Sequence, residues 1–132
     1  MPVQVTGAHL YVGDVHAVQG DGEICGAGLE VPARSTLTAT VIKDQTLAWP
    51  RVESDDYIMA IGNARPLEDA TRIAFAELVR WMAADYGIDP LDAYQLCTTV
   101  AEARLGNVVD PQYSMVAKFP KRFLPKEEAN LP

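Results

Sequence analysis

The apolar residues of this chain change their repeat once, near Pro66, and that change asks for strands before it and helices after it. In Ser35 to Ile42, Thr36, Thr38 and Thr40 alternate with Leu37, Ala39 and Val41, the period of a half-buried antiparallel strand. Val3 to Val12, Glu23 to Val31, Leu47 to Val52 and Tyr57 to Ile61 are further candidate strands. Gly20-Asp21-Gly22, Pro32, Lys43-Asp44, Pro50 and Ser54-Asp55-Asp56 punctuate them with turn chemistry. Strands this short need one another, so the first half is predicted to form a sheet or barrel-like layer.

From Pro66 to Tyr86 the stripe Ala70, Ile73, Ala74, Leu78, Trp81 and Met82 follows a helical repeat, with Glu68, Asp69, Arg72, Glu77 and Arg80 on other faces. Pro66 suits a first turn, Glu68 and Asp69 complement the positive end of the helix dipole, and Gly87 suits a left-handed stop. Asp89-Pro90-Leu91-Asp92 reads as an N-cap and first-turn proline opening a second helix through about Ala103. Leu91, Tyr94, Leu96, Cys97 and Val100 are its residues available for burial. The short connection favours an antiparallel helix pair. Asn107 to Lys118 is predicted to return as a strand bent near Asp110-Pro111, and Pro120 to Pro132 to fray or dock elsewhere. The expected class is α+β, with the helix pair covering one face of the sheet.

A chain of 132 residues, 48% hydrophobic, suffices for one core, read here as a single domain over 1–124 with a tail at 125–132. The net charge of −7 argues against nucleic-acid and anionic-membrane partners, because Lys118, Lys121 and Arg122 are the only local basic cluster. MPVQVTGAHL has no basic region followed by a long apolar run, and no apolar stretch approaches the roughly 20 residues that span a bilayer. A cytoplasmic protein is expected. Cys25 and Cys97 follow no CxxC or secreted-scaffold pattern and read as two buried free thiols; a nucleophilic Cys25 would need His16 as its base.

The polar chemistry gathers in Gly13-Asp14-Val15-His16-Ala17-Val18-Gln19-Gly20-Asp21-Gly22-Glu23. Side chains two apart on a strand share a face, so Asp14 with His16, and Asp21 with Glu23, can converge across a turn at Gly20 and Gly22. That makes the segment a metal-site or acid-base candidate. Plainer readings stand beside it: His16 as a satisfied strand residue, Asp14 and Asp21 as turn formers, Glu30 and Lys43 on solvated faces, and His9 as structural. Trp49, Trp81 and Tyr94 read as core or interface aromatics.

Val12 to Gly26 is similar to the GD-x-H-A-x-QGDGE-x-x-G signature of the acetamidase/formamidase family, and Leu29-Glu30-Val31-Pro32 fits the same pattern. The helix from Pro66 to Gly87, the helix after Asp89 and Gly106-Asn107-Val108-Val109-Asp110-Pro111 resemble the family's closing segments in order and spacing. Members of that family are about twice as long, and their N-terminal region carries further His and Asp motifs. The resemblance implies hydrolysis of a small linear amide to a carboxylate and ammonia, in a homo-oligomer or with an N-terminal partner half. Amide hydrolysis needs an activated water, so a divalent ion, zinc or calcium, with a carboxylate base is a sufficient toolkit. In that reading His16 is a metal ligand and Asp21 a second ligand or the group that orients His16, with Asp14 beside them as ligand or as acceptor from the free imidazole N–H. Glu23 moves the proton and Gln19 donates to the substrate carbonyl. The competing class is a non-catalytic metal-bearing or assembly domain that works only with the missing half.

Overall fold

The structure, a computed structural model, describes residues 1–3 and 5–125. Its chain order is β1 (His16–Val18), β2 (Leu29–Glu30), β3 (Arg51–Glu53), β4 (Tyr57–Ala64), α1 (Leu67–Tyr86), α2 (Pro90–Val100), β5 (Glu102–Asn107) and β6 (Tyr113–Pro120). β1 and β2 form a small antiparallel ribbon, and the other four strands form an antiparallel sheet in the order β3-β4-β6-β5. This is the expected α+β class, with a helix pair inserted between β4 and β5 and no closed barrel among the described residues. No described helix is long and apolar enough to cross a membrane.

Strand alternation builds the core. Ile58, Ala60 and Gly62 of β4, with Ala117 and Phe119 of β6, are buried on one face of the sheet, under Ala70, Ala74, Leu78, Trp81 and Met82 of α1. Gly87 ends α1 in a left-handed conformation, and the Asp89 side chain caps α2 by accepting from the N–H groups of Leu91 and Asp92. Ala93 and Cys97 are the buried residues of α2, with Leu96 and Val100 partly buried beside them. Leu91 and Tyr94 therefore face away from the core, contrary to the expectation from sequence.

Several predicted strands are absent. Residues 3–12 and 35–42 run without strand pairing among the described residues, because alternation creates a strand only where another edge lies alongside it. Residues 23–31 are a strand only at 29–30, and the strand expected at 47–52 begins at Arg51. The second helix stops at Val100, not Ala103: Glu102 and Arg104 alternate with Ala103 and Leu105, and β5 pairs with β6 to make a hairpin where one bent strand was expected. Of the predicted tail, Lys121–Phe123 form a short 3-10 turn that brings Leu124 onto the core, and 126–132 lie outside the described residues.

The seat of α1 on β4 is Gly62. A Cβ there would stand 2.1 Å from the Ala70 carbonyl oxygen and 2.6 Å from the Ala74 nitrogen, both backbone atoms of a packed helix. Gly62→Ala is expected to cost about 3 kcal/mol, at the upper end of the overpacking range, because no side chain can rotate out of the way. Urea denaturation of the variant checks this; a loss below about 1 kcal/mol would show that the helix lifts freely.

Candidate functional site

The polar segment is held in place from three directions. β1 carries His16 and pairs with β2, so that His16 lies opposite Glu30. The imidazole is 14% exposed and has a carbonyl or carboxylate at each nitrogen: Gln19 Oε1 lies 2.5 Å from Nδ1 and Glu30 Oε1 lies 2.9 Å from Nε2. Two acceptors are best met by two N–H donors, the imidazolium form. Its pKa is accordingly raised above the ordinary 6.5, chiefly by the Gln19 hydrogen bond, with Glu30 and the field of Glu23 adding to it against partial desolvation. A Cβ on Gly28 would come within 2.7 Å of His16 Cγ and Nδ1, so the ring rests directly on that glycine backbone.

After β1 the chain tightens into a 3-10 turn at Asp21–Glu23, in which Gly22 and Glu23 have φ of 83° and 43°. Gly22 is required twice, for its left-handed backbone and because a Cβ would meet Leu105 Cδ2 at 2.7 Å. The turn docks on β5. Arg104 Nε and Nη2 donate to Asp21 Oδ2 and Oδ1 at 2.8 and 2.7 Å, and the Val108 N–H donates to the Gly22 carbonyl at 3.0 Å. The Asn107 amide donates to Glu23 Oε2 at 3.1 Å, while its own carbonyl accepts from the Val109 and Asp110 N–H groups, both at 3.0 Å. Asn107 reaches Glu23 through a bulge. Leu105 pairs with Met115, but Asn107 pairs with Ser114, so the extra residue Gly106 moves Asn107 from the helix-covered face to the open face that bears Arg104. Beside it, Tyr57 and Lys118 both donate to Glu102, and Lys118 above all holds that carboxyl below its usual range.

Sequence reasoning named five site residues, and the structure gathers three. His16, Gln19 and Glu23 share one neighbourhood with Glu30, which had been assigned to a solvated face. Asp21 is turned away: both its oxygens are engaged by Arg104, whose guanidinium also holds the carboxyl below its ordinary value. Asp14 has left-handed backbone, with φ of 52°, and neither imidazole nitrogen bonds to it; it lines an open groove with Val15, Glu30 and Leu37. Cys97 is buried as expected, but Cys25 is exposed, and its sulfur contacts the Ala27 carbonyl rather than His16. Among the described residues no group of three or more His, Cys, Asp or Glu is arranged to hold a metal ion, so this donor set does not by itself fit a closed metal centre. Arg104 and Asn107 were missed. Their signal was the strand alternation of Glu102 to Leu105, which a helical reading concealed.

The residues present can bind and move protons. Glu23 keeps Oε1 without a hydrogen-bond partner among the described residues, and Gln19 keeps its N–H groups. Both are atoms that a small polar ligand can address.

Residues 1–124 match the model of the Acetamidase/Formamidase family. The crystal structure of an acetamidase from Yersinia enterocolitica is similar at 46% identity with a TM-score of 0.73, over 84% of this chain and 34% of that one. An acetamidase from Bacillus halodurans shares the fold at 24% identity with a TM-score of 0.73, over 82% of this chain and 37% of that one. The part of the chain that matches thus spans about a third of the length of these structures. No curated protein matches it.

Two measurements check this geometry. In an NMR titration Gln19→Ala should move the His16 ring pKa down toward 6.5, and Gly28→Ala should do the same by displacing the ring. Because the native value is raised, the stabilisation from this contact is full below the unfolded imidazole's pKa and is lost as pH rises through the native one. Arg104→Ala should release the turn, seen as faster hydrogen exchange at the Val108 amide with α1 amides unchanged. Unaltered exchange at Val108 would show that the ion pair does not hold the turn.

Proposed function

The chain belongs to the acetamidase/formamidase family, and on that premise we propose that its signature segment supplies part of a site that hydrolyses a small linear amide, of the formamide or acetamide kind. The observation that supports the reading is the convergence of Gln19, His16, Glu23 and Glu30, a donor, a cation and two carboxylates, at the segment carrying the family signature. In the reaction a water oxygen bonds to the amide carbon, the C–N bond breaks, and the products are a carboxylate and ammonia. Glu23, with Oε2 held by Asn107, takes the water proton on Oε1 and returns it to the departing nitrogen. Gln19, whose carbonyl is occupied by His16, donates an N–H to the amide oxygen as charge develops there. His16 as imidazolium orients Gln19 and adds positive field.

For the divalent ion, zinc or calcium, His16 Nε2 and Glu30 Oε1 are two donors side by side, while Asp21 and Asp14 stand apart from them. A metal-assisted version of the proposal therefore needs donors beyond the described residues, and no step above is routed through an ion. We place the protein in the cytoplasm, acting on a small molecule within a homo-oligomer or together with further parts of the fold. A second reading, an assembly domain without turnover of its own, is favoured by the share of its relatives' length that the chain spans.

Ammonia release from formamide and acetamide, with metal content measured before and after chelation, tests both readings. Glu23→Gln should lower kcat at least about 100-fold with little change in KM, as expected for loss of a positioned proton carrier. Turnover equal to the original chain's would remove Glu23 from the reaction, and metal without turnover in the original chain would favour the assembly reading.

A further inference from the structure

We infer that Asn107 is a positioning residue, acting through Glu23 by holding one oxygen of its carboxylate so that the other is presented to an incoming amide. The inference rests on the amidase reading, in which Glu23 carries the proton. Two uncommon backbone features meet at this one contact. Glu23 has a φ of 43°, a left-handed conformation that strains a residue with a Cβ and would not strain glycine. Asn107 reaches it because the extra residue Gly106 turns its side chain onto the open face of the sheet, and bulges re-aim side chains in this way beside active sites. A strained carboxylate met by a re-aimed amide is a placement that the fold enforces from both sides.

The turn does not need Asn107 in order to dock. Arg104 clamps Asp21 with two hydrogen bonds, and the Val108 N–H donates to the Gly22 carbonyl. What the Asn107 amide adds is direction. Its Oδ1 accepts from the Val109 and Asp110 N–H groups, both at 3.0 Å, which only the oxygen end of the amide can do. The NH2 end is thereby fixed toward Glu23, and donates to Oε2 at 3.1 Å. Both side chains are half-buried, where a carboxylate without a partner would turn toward water. With Oε2 tied, Oε1 is left at one position, and in a reacting group a displacement of about 1 Å can cost about 100-fold in rate.

Asn107→Asp and Asn107→Ser each keep an oxygen for the Val109 and Asp110 N–H groups but offer Glu23 no amide N–H, and the shorter serine adds no charge. Three-bond NMR couplings at Glu23 should report one side-chain rotamer in the original chain and averaged rotamers in both variants. Hydrogen exchange at the Val108 amide should stay unchanged, because the turn remains docked. With formamide or acetamide, kcat should fall at least about 10-fold with KM within about 2-fold. In a Glu23→Gln background the same substitutions should cost less than about 2-fold, since a residue acting through Glu23 has nothing left to direct there. A single Glu23 rotamer retained in either variant would overturn the proposal, as would averaging in the original chain, faster exchange at Val108 in both variants, or an equal loss of kcat in the Glu23→Gln background. The couplings need no turnover, so a chain that releases no ammonia counts against the amidase reading while the Glu23 rotamer still decides the role of Asn107.

Discussion

Everything in the compact part of the molecule hangs on how near α1 comes to β4. At Gly62 the helix backbone touches the strand backbone, and no other residue type leaves room for it. That approach sets the helix axis, and the axis brings Glu77, 2% exposed, beneath the sheet edge. There Arg51 of β3 donates to its carboxylate at 2.8 Å while lying 5.1 Å from the Trp81 ring centroid, and Arg80 adds a longer contact. A carboxylate buried so deeply costs several kcal/mol unless paired, so the short strand β3 is held by a partner that Glu77 cannot do without.

The same sheet supports the polar turn. β4 pairs along its length with β6, β6 carries β5, and β5 presents Arg104, Leu105, Asn107 and Val108 to the Asp21–Glu23 turn. The turn has little of its own to hold it, having left-handed backbone at Gly22 and Glu23 and no buried side chain beneath it. Its shape is imposed by a hairpin edge, which is how a strained conformation persists. The imidazole of His16 is treated differently: it is fixed from its own ribbon by Gln19 and Glu30 and by the bare backbone of Gly28.

What could be read beforehand and what could not divides along physical lines. α1 was legible with both ends, because a long apolar stripe, acidic first turn and terminal glycine all pointed the same way. The Asp89 cap and Pro90 were equally plain. β5 was not, since Ala101, Glu102, Ala103 and Arg104 are good helix formers and only pairing with β6 makes them a strand. In the first half, alternation was read as pairing, although pairing depends on a neighbour that sequence pattern cannot supply. At the site, the signature led to His16, Gln19 and Glu23, which the fold brings together, whereas both oxygens of Asp21 accept from Arg104, a partner on the distant β5. For contacts 83 or 84 positions apart, the alternation of Glu102 to Leu105 could mark a strand but not which turn it would hold.

That separation also fixes an order of events. Asp21 and Glu23 leave a ribosome more than 80 residues ahead of Arg104 and Asn107. The signature turn must wait, unformed, until both helices and the hairpin have been made and folded. Contacts of this range are closed late and at an entropic cost that grows with the loop between them. A nascent chain halted between Gly26 and β5 therefore carries the whole signature without the contacts from Arg104, Asn107 and Val108 that shape its turn.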